Sequence, residues 1–252
     1  MRFRGNEYTG AGIAVAVVDS GIDADDPRLG GAQVRGWNIQ LGATGHALIG
    51  ADCADIHGHG TDVAAAIRTT APDVDLLAVR VMESGLRTTA DLMAAGIETA
   101  FRNGARVINL SMGTPNMGKA LLLRDTCALA AEAGAIVVAA AHPRGERAYP
   151  ADLPETVGVA AHPDCPLDKF YFFVPHRFKA AEWGHLSGKF LSHGHQRVQG
   201  RPAGFKGSGL GSAYLAGRLA CLVQAMPDAS PIDVVAALQN QALSPVPELG
   251  YA

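Results

Sequence analysis

An aspartate placed after a buried strand and a histidine at the head of a helix can serve as an orienting carboxylate and a general base. This sequence carries both, in that order. Asp19-Ser20-Gly21-Ile22-Asp23 follows an apolar run, and Asp55-Ile56-His57-Gly58-His59-Gly60-Thr61 leads into an Ala-rich stretch. Taken singly, each has an ordinary structural reading. An Asp after a strand suits a turn or a helix cap, and a lone His suits a surface or core position. Small residues around His59 leave room for an approaching substrate. Together, the carboxylate would fix the imidazole tautomer and the imidazole would take a proton from a hydroxyl.

Such groups need a scaffold. Short apolar runs at 13–18, 76–81, 106–110, 135–140 and 156–160 have the continuous β-branched character of strands buried on both faces. Between and after them lie helix candidates at 60–70, 88–103, 119–133, 209–226 and 230–241. Asn103-Gly104 and Gly134 are helix stops, and Pro231 suits a first turn. The alternation predicts an α/β domain with a mostly parallel sheet and helices on both faces. Functional groups in such sheets collect at the carboxyl ends of the strands. Over 163–206 the pattern weakens into expected loops and short hairpins, with one strand candidate at 169–174. With no linker or repeat, residues 1–252 read as a single domain.

Composition narrows the function classes. Hydrophobic residues make up 48% of the 252, enough for a large core, and the net charge of −3 gives no basic footprint for nucleic acid. The apolar stretch at 127–141 is too short for a membrane span and is interrupted by Glu132. Met1-Arg2-Phe3-Arg4-Gly5 lacks the apolar run of a secretory signal, so a cytoplasmic protein is expected. The four cysteines are scattered and read as reduced thiols. His162, His176, His185, His193 and His195, with Cys165 nearby, match no standard zinc spacing and read as a solvated loop. Asp23, Asp25 and Asp26 lack a calcium-ligand spacing. Neither metal nor cofactor is expected. The aromatic run 170–174 reads as a core strand before a docking patch, and Arg177, Lys179, Lys189, Arg197, Arg201 and Lys206 read as a solvated basic face.

Several motifs in one order now identify a resemblance. Asp19-Ser20-Gly21, then His59-Gly60-Thr61, then Leu77-Ala78-Val79-Arg80-Val81, Val107-Ile108-Asn109-Leu110-Ser111-Met112-Gly113 and Tyr149-Pro150 resemble the subtilisin family of serine peptidases. The resemblance covers roughly 10–160 and 205–243. It implies a three-layer fold, Asp19 as orienting carboxylate, His59 as general base and His57 as its neighbour. It also implies that Ser111, Met112 and Gly113 pair their backbone with an extended peptide, which is β-strand addition.

Two positions depart from the family. Its Ala-Ala-Gly-Asn oxyanion segment stands here as Ala140-Ala141-His142-Pro143, so Pro143 takes the place of the asparagine. Proline brings neither a side-chain donor nor an N–H. The family's Gly-Thr-Ser-Met-Ala stands here as Gly207-Ser208-Gly209-Leu210-Gly211, so Gly209 takes the place of the nucleophilic serine. Ser208 turns away by about 100° at a helix start and suits a cap. Ser212 lies a turn deeper, toward the core. The implied protein is a pseudopeptidase that binds an extended peptide or a protein partner, with an active peptidase as one such partner. Two alternatives stand beside it: a narrow-specificity endopeptidase using Asp19 and His59 with a non-standard nucleophile, and a structural module whose cleft is closed by 163–206.

Overall fold

A computed structural model describes residues 1–42, 47–83, 85–162, 165–173, 189–198 and 201–243. Along the chain run β1 (Arg2–Phe3), β2 (Asn6–Glu7), β3 (Ala14–Asp19), β4 (Val34–Leu41), β5 (Ala47–Gly50), α1 (His59–Thr70), β6 (Asp75–Arg80), α2 (Ala90–Arg102), β7 (Val107–Leu110), α3 (Ala120–Glu132), β8 (Ile136–Ala140) and β9 (Val157–His162). Then follow β10 (Tyr171–Phe173), β11 (Lys189–His193), β12 (His195–Val198), β13 (Arg201–Lys206), α4 (Ser208–Ala225) and α5 (Pro231–Gln241).

The main sheet has nine strands in the order β10-β11-β9-β8-β7-β3-β6-β4-β5. Its interior pairings are all parallel; only the edge strands β10 and β5 run antiparallel. Alternation along β3 explains the layers. Val15 and Val17 enter a core shared with α1, α4 and α5, whereas Ala16 and Val18 enter a second core shared with α2 and α3. All four are fully buried, which is why this strand reads as an unbroken apolar run. Helix α4 is buried on nearly every face, and Thr70 Oγ1 at the end of α1 donates to its Tyr214 carbonyl at 3.0 Å. The outer helix α2 is instead amphipathic, with Thr89 Oγ1 capping it by accepting from Leu92 N–H at 3.2 Å.

The strands and helices expected from the sequence are present with shifts of a residue or two, and the three-layer α/β architecture is the observed one. The region 163–206 differs in part from expectation. β12 and β13 form an antiparallel pair, in keeping with the expected hairpins, but β11 lies within the main sheet, parallel to β9 from Phe190↔Val159 to His193↔His162. Phe190 and Leu191 are buried there, so pairing and burial outweigh a weak sequence pattern. Lys189, read as part of a solvated basic face, is buried. Its Nζ donates to the Ala151 carbonyl at 3.0 Å and pairs with Asp152. His193 and His195 end and begin strands rather than sharing a loop, and His193 Nδ1 donates to the Cys165 carbonyl at 2.5 Å.

Within the aromatic run, Phe170 is buried and packs on Phe190 with Phe172. Val174, His176, Arg177, Lys179 and His185 lie outside the described residues. Among the described residues no group of His, Cys, Asp and Glu is arranged to hold a metal, and no helix is long and apolar enough to cross a membrane. The cysteines are free thiols; burial pushes Cys127 up to about 12.

Candidate active site

β3 delivers Asp19 to the carboxyl edge of the sheet, where the residue is fully buried. Its Oδ1 accepts from Ser20 N–H at 2.7 Å and from His59 Nδ1 at 2.7 Å. His59 is the first residue of α1, so its ring stands at a helix head. The approach of α1 to β3 is close. A Cβ on Gly60 would fall 2.1 Å from the Gly21 carbonyl oxygen and 3.2 Å from Asp19 Cβ, so only glycine lets the helix start here.

A second carboxylate anchors this corner. Gly58 at the N-cap has no side chain to cap the helix; Asp55 does it instead. Asp55 Oδ1 accepts from Ser20 Oγ at 2.8 Å, His57 N–H at 2.9 Å and Gly58 N–H at 2.8 Å. Its Oδ2 accepts from the N–H and the hydroxyl of Thr61. Ser20 Oγ in turn accepts from Gly60 N–H at 3.0 Å. Burial works against the Asp55 carboxylate, but these hydrogen bonds outweigh it and its pKa is lowered. His57 accepts at Nε2 from Gly85 N–H at 3.0 Å.

Burial also works against a charged His59. The Asp19 hydrogen bond and the charges of Asp19, Asp62 and Asp55 prevail, so its pKa is raised above 6.5. The arrangement makes His59 a strong proton acceptor with a fixed tautomer: Nδ1–H is committed to Asp19, and Nε2 is the basic nitrogen.

His59 borders a cleft of about 330 Å³ that also includes Ser111, Met112, Gly113, His142, Pro143, Ser208 and Gly209. Six of the seven residues singled out from the sequence therefore line one cavity, and the seventh, Asp19, lies buried behind His59. The segment after β7 is held across the cleft by a backbone pair: Thr114 and Tyr149 exchange N–H···O bonds of 2.9 Å each. The peptide bond Tyr149–Pro150 is cis.

The donors that a developing oxyanion needs are scarce on the other wall. Pro143 contributes none. His142 is held within its own turn, accepting at Nδ1 from Arg144 N–H at 3.3 Å, with Nε2 4.0 Å from Glu146. Gly209 is the second residue of α4. A Cβ placed there would fall 3.0 Å from Ser111 Cβ and 3.3 Å from the Ser111 carbonyl oxygen. Ser208 borders the same cleft, whereas Ser212 is fully buried and donates to the Gly209 carbonyl at 2.8 Å. Ser111 Oγ accepts from Asn109 Nδ2 at 3.1 Å. Asn109 Oδ1 and Asp19 Oδ2 are buried and have no hydrogen-bond partner among the described residues.

Sequence reasoning assigned no role to Asp55, Ser20, Thr61 or Asn109. The signal for Asp55 was an acidic residue shortly ahead of a helix start, and for Asn109 a polar residue inside an apolar strand.

Comparison with known proteins bears on the family and the fold. Residues 10–251 match the sequence model of the Subtilase family. The chain is 35% identical over 162 residues to thermitase of Thermoactinomyces vulgaris, covering 60% of this chain and 56% of that protein. It is 34% identical over 169 residues to subtilisin E of Bacillus subtilis strain 168, covering 61% and 42%. The chain thus spans about half the length of these curated relatives. Among solved structures, a psychrophilic protease designated S41 superposes with a TM-score of 0.74 at 25% identity, covering 92% of this chain and 83% of that one. A lanthipeptide protease superposes at 0.69 and 19% identity, covering 93% and 81%, which speaks for the fold alone.

Proposed function

The chain belongs to the subtilase family, and from that premise we propose that it is a subtilisin-like pseudopeptidase, holding an extended peptide or protein segment in the cleft beside His59 without cleaving it. The observation that carries this reading is that Gly209 and Pro143 border one cleft with His59. Where a peptidase of this family presents a hydroxyl and an oxyanion donor, this cleft presents a hydrogen and a proline ring. Losing one oxyanion donor alone typically costs about 100- to 1,000-fold in turnover. Losing the nucleophile leaves only the modest rate that positioning and binding supply.

Peptide binding needs neither group. The segment 111–113 borders the cleft and offers backbone groups to a partner strand. A chain that binds without cleaving suits a recognition or regulatory subunit of a peptidase or peptide-maturation system.

The test compares hydrolysis of a fluorescently labelled unfolded protein with binding of a labelled extended peptide followed by anisotropy. Binding without hydrolysis is the expected result. Hydrolysis by the native chain that disappears in His59→Ala would overturn the reading. Gly209→Ser is expected to introduce slow hydrolysis, and Gly209→Ser with Pro143→Asn a rate about 100- to 1,000-fold higher than the single variant.

A further inference from the structure

The retained Asp19–His59 pair is unexplained by peptide binding alone. We propose that its proton acceptor serves Ser111: the cleft transfers an acyl group from an activated ester or thioester onto Ser111 Oγ and retains it there. This rests on the same assignment of Gly209 to the nucleophile position.

The geometry starts from the absent side chain. Ser111 Cβ lies 3.0 Å from where a Cβ at 209 would stand. Ser111 is therefore a hydroxyl-bearing residue from another element packed directly against the vacated position. With glycine at 209, no side chain from that position intrudes between Ser111 and the rest of the cleft, which His59 also borders. Asn109 Nδ2 donates to Ser111 Oγ at 3.1 Å. That bond occupies a lone pair of the hydroxyl and leaves its proton to be given away. His59 Nδ1 is engaged by Asp19 at 2.7 Å, so the proton acceptor is Nε2. The 18-residue helix α4 starts at this cleft, with Ser208 and Gly209 on its border, so the positive end of its dipole lies there.

The step balances as an ordinary acyl transfer. Ser111 Oγ attacks the acyl carbon, and its proton passes to His59 Nε2 as the new O–C bond forms. The bond from the acyl carbon to the leaving oxygen or sulfur breaks, and the leaving group departs with the electron pair. A leaving group of low basicity, such as a phenolate or thiolate, departs without a proton, and His59 returns its proton to solvent. A peptide is a poor donor here. Its amine must be protonated as it leaves, and its tetrahedral intermediate depends more on the donor that Pro143 lacks. The same deficit slows attack by water on the acyl-Ser111, so the acyl group accumulates. One chain then both spares peptides and captures activated acyl groups.

The probe is p-nitrophenyl acetate, with the full chain and an unfolded control. The expected result is release of about one equivalent of p-nitrophenol, with acetyl mapped by peptide mass spectrometry to Ser111. Ser111→Ala and His59→Ala should each abolish that release while circular dichroism and the urea midpoint stay those of the folded native chain. Acetyl found on Ser208, on His59 itself or scattered over lysines overturns the proposal, as does release no greater than in the unfolded control. Steady turnover of the ester without a trapped acyl group also overturns it. Failure of peptide binding with Ser111 still acetylated would sink the pseudopeptidase reading and leave this one standing.

Discussion

The two walls of the cleft differ in how they are tied to the rest of the protein. The wall of Asp19 and His59 is woven into the start of α1. Asp55 and Ser20 satisfy the amides of His57, Gly58, Gly60 and Thr61, and Ser20 N–H returns to Asp19. The wall of Pro143 and Gly209 is tied in mostly by backbone, with Ala141 N–H donating to the Val159 carbonyl, Gly207 N–H to the Gly194 carbonyl and Ser212 Oγ to the Gly209 carbonyl. His142 bonds within its own turn, and the helix after Gly207 has no side-chain cap. Groups that cap a buried helix are constrained by folding as well as by chemistry. Groups at a loop tip or a bare helix start are constrained by chemistry alone. Pro143 and Gly209, the two positions proposed as departures from the family, both lie on the second wall.

Asp55→Ala is the most severe way to break this contrast. It removes the acceptor of five hydrogen bonds at a helix start, and a loss of about 3 kcal/mol is expected in urea denaturation. A loss no larger than that of a surface substitution would mean that the first wall is not held by folding. Next in size is the pH dependence of the same residue. Its carboxyl is lowered in the folded chain below 3.8. Its stabilisation is therefore complete above the ordinary carboxylate range and is lost as pH falls through the lowered value. Asp55→Asn should flatten the acid limb of the stability profile.

His59 has the opposite sign. Its pKa is raised above 6.5, so its contribution is complete below 6.5 and is lost as pH climbs through the raised value. His59→Gln should remove that slope near neutrality. The smallest effects belong to the second wall. Pro143→Asn and Gly209→Ser are each expected to change stability by less than about 1 kcal/mol, the serine costing more because its Cβ must crowd Ser111. A larger cost for either would sharpen the question of what that wall supports.

Much of this was legible from residue types. Val15 to Val18 announce a strand buried on both faces, and both faces are filled. Asp19 and His59 are readable because a carboxylate after such a strand and an imidazole before an Ala-rich helix stand in a known order. Asp55 carried the signal of an acidic residue ahead of a helix start, but its bond to a serine 35 residues away was not readable. β4 and β11 were missed for different reasons. Gly36 interrupts β4, and β11 has only five residues whose parallel partner lies in β9. Lys189 looked like a surface charge because a sequence does not show that a carbonyl and Asp152 await it.

The burial of α4 has a consequence for how the chain is made. This helix supplies much of the core that covers one face of the sheet, yet it begins at Ser208, after every strand has been synthesised. On the ribosome, Val15, Val17 and the apolar face of α1 therefore wait without their cover until α4 has emerged. The cleft, which needs residues 207–209 as its last wall, closes in the same late event.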